Sequence, residues 1–121
     1  MALRPEANKF VLSSAPERHE VETSEGSLIV YVKPMSWIQQ QDAMSRFVHF
    51  SMDDEGDMTP SLDLGGFWRY VLVNCITKTE PELSKDDLLN LKPEVGARLQ
   101  TVLPNLTDMI EAFGGATDPL V

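Results

Sequence analysis

Hydrophobic and polar positions change period several times along this chain, and each change marks an element. From His19 to Lys33, "HEVET" and "LIVYV" flank the Gly-containing "SEGS" and predict a β-hairpin over 19–33. In its second strand Leu28, Val30 and Val32 share one face, and Ile29 and Tyr31 share the other. Both faces are apolar, so each calls for a cover; a lone hairpin is marginal in water.

After Pro34 the period lengthens. Ser36 with Gln39 three residues on is a capping-box signature, opening a helix over 36–52. Trp37, Gln41, Met44, Val48 and Met52 lie near one stripe of it with Phe47 beside them, which makes it amphipathic. "DDEGDMTPSLD" carries five carboxylates, no base, and Gly56 and Pro60 as breakers; it reads as a loop. Beyond Gly65, residues 66–77 form an apolar run spaced as a largely buried helix. Pro81 sits in a polar break, Ser84 with Asp87 opens a short helix over 84–91, and Pro93 suits the first turn of a helix over 93–113. Pro104 lies inside that last segment, removes an amide donor and should kink or split it. Gly114 and Gly115 supply a stop, leaving 116–121 as a mobile tail. Residues 1–18 carry two prolines and no clean period, and read as a loose arm. The expectation is one mainly α (α+β) domain over 19–115, an N-terminal β-hairpin followed by about four helices in a small bundle.

Composition narrows the function. The 121 residues suit one domain, and 42% hydrophobic with 24% charged is an ordinary globular balance. No apolar run reaches the roughly 18–20 residues of a membrane span, and "MALRPEANKF" has no apolar signal core. A net charge of −9 with ten thinly spread Lys and Arg argues against direct binding to nucleic acid or an anionic membrane. A lone cysteine, Cys75, fits a reducing cytoplasm.

No catalytic set emerges. The acidic segment fails the calcium-loop pattern: counting from Asp53, Met58 falls where Gly belongs and Leu64 where Glu belongs. His19 and His49 lie on different elements, and Cys75 sits in an apolar helix with nothing beside it to lower its pKa. "LGGF" lacks the lysine and further glycines of a phosphate loop. The expectation is a protein that is no enzyme and takes no metal or cofactor. The two-faced strand and the all-round helix suggest more apolar surface than one small domain buries. Self-association or docking of an extended partner would use the surplus. Trp37, Met44, Phe47, Phe67 and Tyr70 are the candidate partner-binding residues, each with plain core packing as its competing role.

Taken in order, "VYVKPMSWIQQQDAMSRF", "GFWRYVLVNCITKTEPELSKDDLLNLKPEVGARLQTVLPNL" and "AFGG" resemble the tail assembly chaperones of long-tailed bacteriophages. The likeness covers roughly Leu28 to Gly115, as a pattern of strand, helix, acidic break and closing helix. "KTEPEL" stands where the family usually carries an acidic "D-x-D-G". The resemblance implies a non-catalytic protein of the host cytoplasm. It would bind and solubilise the tape measure protein, assist assembly of tail tube protein around it, and be absent from the finished virion. A retained neck or baseplate component and a small adaptor module are the alternatives.

Overall fold

A computed structural model describes residues 5–117, with side chains over 7–111. The chain is α+β, 39% helix and 28% strand, which corrects the mainly α expectation. Elements follow the order α1 (Pro5–Asn8), β1 (Glu17–Thr23), β2 (Gly26–Val32), α2 (Trp37–Phe47), β3 (Val48–Met52), β4 (Met58–Leu62) and α3 (Leu64–Asn74). Then come β5 (Ile76–Glu80), α4 (Lys85–Leu88), α5 (Pro93–Leu99) and α6 (Leu106–Thr117).

The expected first hairpin forms, starting two residues early at Glu17, with Thr23 paired to Gly26 across the turn. It grows into a three-stranded antiparallel sheet ordered β1-β2-β5. The third strand is the segment read as the helix end and the polar break. The apolar helix stops at Asn74, the chain turns at Cys75, and Ile76–Glu80 pairs with β2. Lys33 N–H donates to Cys75 O at 2.7 Å, tying the end of β2 to that turn.

Only one face of the sheet is buried. Val21, Leu28, Val30, Val32 and Ile76 pack with Phe67 and Val71 of α3, Val95 and Leu99 of α5, Leu103, and Leu106 and Met109 of α6. The outer face keeps Ile29 and Tyr31 half-covered by charged neighbours instead of by a helix. Tyr31 lies beneath Lys78 Nζ, 5.4 Å from the ring centroid, and Ile29 is paired between Glu20 and Glu80. A cover is present, but it is made of long side chains.

The helix expected over 36–52 ends at Phe47. Its start is as read, with Ser36 accepting from Gln39 N–H and Gln39 accepting from Ser36 N–H. Residues Val48–Met52 leave as a strand and pair with Met58–Leu62 from the segment read as a loop. α3 begins at Leu64, so Gly65 and Gly66 lie within its first turn, behind the capping carboxylate of Asp63. The short helix after Ser84 opens with the same capping-box chemistry and ends at Leu88, short of the expected 91. Pro104 does split the last segment: α5 ends at Leu99 and α6 starts at Leu106, where Asn105 Oδ1 accepts from Thr107 N–H. α6 then continues past Gly114 and Gly115 to Thr117, without the expected stop. Of the expected arm, Pro5–Asn8 form one helical turn; residues 1–4 and 118–121 lie outside the described part.

Candidate docking surfaces

The five residues singled out from the sequence divide three ways. Phe67 is 0% exposed and is core. Phe47 and Tyr70 are half-buried and cluster around it, with ring centroids 5.9 Å apart for Phe47–Phe67 and 5.8 Å for Phe47–Tyr70. Arg46 caps the outer side of Tyr70, its guanidinium carbon 5.7 Å from the ring centroid. That cluster joins α2 to α3 and leaves little apolar area free.

Trp37 and Met44 sit elsewhere. Trp37, first residue of α2, is 72% exposed. With Phe10, Val11, Leu12, Met35 and Ile38 it lines an open depression of about 580 Å³ between the N-terminal arm and α2. Met44 lines a groove of about 340 Å³ with Gln41, Ser45, Val48, Phe50 and Ile110.

The second hairpin supplies the largest surface that reading the sequence missed. Its register pairs Val48 with Leu62, Phe50 with Pro60 and Met52 with Met58, and between them His49 with Ser61 and Ser51 with Thr59. Directly paired residues of an antiparallel ladder share a face. One face is therefore entirely apolar and the other entirely polar. Val48 packs against the core at the base of the apolar face, and beyond it the face is open: Phe50 is 60% exposed, Met52 67% and Met58 59%. The signal was in the sequence as two short alternating runs, Val48-Phe50-Met52 and Met58-Pro60-Leu62, mirrored about an acidic Gly turn.

That turn is built by its first aspartate. Asp53 Oδ1 accepts from Glu55 N–H at 2.9 Å and Asp57 N–H at 2.8 Å, and Asp53 O accepts from Gly56 N–H at 3.0 Å. Asp53, Glu55 and Asp57 each bring a carboxylate oxygen within 4.8 Å of the others, all exposed. The two turn hydrogen bonds account for the placement of Asp53 without an ion. His49 lies on the polar face of β3, whereas His19 is half-buried on the inner face of β1 with its Nε2 3.4 Å from Glu17 Oε1. Cys75 is buried, and desolvation pushes its thiol pKa up, away from the thiolate that a nucleophile needs.

A third depression, about 370 Å³, runs between the first hairpin turn and the α4–α5 region, lined by Leu28, Leu83, Leu91, Lys92 and Val95 among others. Lys92 Nζ bridges to Glu25 Oε2 at 2.8 Å across its rim, and Glu94 accepts from Ser24 N–H and Oγ–H. Its charged groups are thus paired within the chain. No family model, curated protein or solved structure matches this chain.

Proposed function

We propose that this protein is a tail assembly chaperone of a long-tailed bacteriophage. It binds the tape measure protein in the host cytoplasm, holds it soluble and extended in several copies per client, and assists tail tube assembly. The observation that carries the reading is apolar surface left open at two places on a small acidic body. The β3–β4 face and the Trp37 depression are both uncovered, while the chain carries a net charge of −9. A holdase needs that pairing. Apolar area binds unfolded or extended client, and like charge keeps loaded copies from coalescing.

Co-expression with the long, helix-rich open reading frame encoded beside this one tests the reading. The expected result is a soluble complex with several copies of this chain per client. A client that stays insoluble while this chain elutes alone removes the proposal. Finding the chain in purified virions by mass spectrometry makes it a particle component instead.

A further inference from the structure

We infer that the β3–β4 hairpin is a docking arm for an amphipathic helix of a partner protein, one with Lys or Arg bordering its apolar stripe. Size favours a helix. Five residues per strand make the apolar face roughly 17 Å long, and two strands with their side chains make it roughly 10 Å wide, close to a helix diameter. At its base this face opens into the Met44–Ile110 groove, because Val48 and Phe50 belong to both. The apolar track thus continues from the arm onto the body, where a helix of about four to five turns could lie along it.

Charge selects the partner's border residues. Asp53, Asp54, Glu55 and Asp57 crowd the tip, and the sequence has no Lys or Arg between Arg46 and Arg69. The arm therefore offers carboxylates and no cation of its own, so a helix edged with Lys or Arg supplies the missing partners. A second copy of this chain fits less well. Its own hairpin would bring the same four carboxylates and no base.

The inference deepens the chaperone reading by naming the chemistry of the client's docking segment, and it rests on that reading only for the client's identity. The probe is a fluorescein-labelled synthetic helix of about 18 residues with Leu on one stripe and Lys on its borders, titrated with the full chain. A second peptide carries Glu for every Lys. Fluorescence anisotropy is expected to rank the Lys peptide at least about tenfold tighter. The triple variant D54N/E55Q/D57N leaves Asp53 to hold the turn and should lose about tenfold in affinity; F50S/M52S should lose binding altogether. Circular dichroism checks that each variant is folded, and the triple variant leaves the apolar face intact if F50S/M52S misfolds. Equal binding of both peptides, or full binding by a folded F50S/M52S, overturns the inference. A dimer in sedimentation velocity that F50S/M52S dissolves overturns it as well, by making the second copy the occupant. Peptide binding with failed client rescue removes the phage reading and leaves the docking arm standing.

Discussion

The described residues form two hairpins of the same kind that meet opposite ends. Each is antiparallel, and each turn includes a glycine at positive φ, 118° at Gly26 and 86° at Gly56, where a side chain would be strained. The first hairpin gains a third strand and the cover of α3 and α5, so its inner face is core. Among the described residues the second gains neither, and from Phe50 to its tip its apolar face is exposed. A two-stranded hairpin has little stability of its own. The first hairpin thus serves the fold. The second leaves its exposed apolar residues as the place where the proposed docking would occur.

The sharpest way to break this contrast is to place a carboxylate at the centre of each hairpin. Val30, between His19 and Thr79 in the middle of the three-stranded sheet, is fully buried. Val30→Asp leaves an unpaired charge in the core, costing several kcal/mol against a typical domain stability of about 5–15 kcal/mol. Urea unfolding should show a collapsed midpoint or no folded baseline. Phe50→Asp, at the matching position of β3, should move the midpoint by no more than about 0.5 kcal/mol. If Phe50→Asp costs as much as Val30→Asp, the second hairpin's apolar face is covered within the chain, and the contrast collapses.

A smaller effect tests how the first hairpin acquires its third strand. Thr79 is the one buried polar residue among those described. Its Oγ1 donates to Pro81 O at 2.9 Å and accepts from Leu83 N–H at 2.7 Å, turning the chain from β5 towards α4. Thr79→Val keeps the shape and orphans both partners, which should cost about 1–3 kcal/mol in urea unfolding. A neutral result would mean that the edge strand is held by its ladder alone.

These two positions also explain what could be read from the sequence. The first hairpin was legible because β2 is an unbroken, largely β-branched and aromatic run from Leu28 to Val32, with Gly26 marking the turn before it and Pro34 the stop after it. β5 was not. The ladder shifts register between Tyr31 and Val32, so Ile76 and Thr79, three apart, both point inward and the period-two signature is lost. β3 was hidden differently: Met44, Val48 and Met52 fit the i, i+4 stripe of α2 as well as Val48 and Met52 fit an alternating strand. Tertiary pairing with β4 decides between them. Pro60 in the middle of β4 speaks against a strand, so the alternation of Met58, Pro60 and Leu62 was read as loop. Of the binding candidates, Trp37 and Met44 do line open surfaces, because they fall at the start and on the groove side of α2. Phe67 shares their chemistry, but the centre of α3 is enclosed on every side.

The junction between the second hairpin and the body gives a subtler probe. Asp63 N–H donates to Phe47 O at 2.8 Å, closing the hairpin's base, and its carboxylate caps α3 through Gly66 N–H at 3.0 Å. Asp63→Ala should cost about 1 kcal/mol. Its hydrogen-exchange signature is local: faster exchange over β3, β4 and the first turn of α3, with β1 and β2 unchanged. Equal acceleration in both sheets would mean that the two hairpins open together.

The smallest effect concerns how the first hairpin's turn is pinned. Lys92, at the start of α5, holds Glu25 on that turn, whereas the second hairpin's turn is held by its own Asp53. The hydrogen bond from Lys92, and then its charge, lower the Glu25 carboxyl pKa below its ordinary 4.5; the same pairing raises Lys92 above 10.5. For Glu25 the stabilisation is present above the unfolded carboxyl pKa and fades as pH falls through the lowered folded value. For Lys92 it is present below the unfolded amine pKa and is lost as pH rises through the raised one. The pair thus contributes across the broad window between the two and at neither end. Both groups are exposed, so salt should screen the interaction heavily. Lys92→Met should lower the urea midpoint slightly at neutral pH and low ionic strength. The difference from the parent should close in acid, in strong base and at about 1 M salt. A difference that persists in acid would trace the loss to how the new side chain packs on the rim of the cleft rather than to the ion pair.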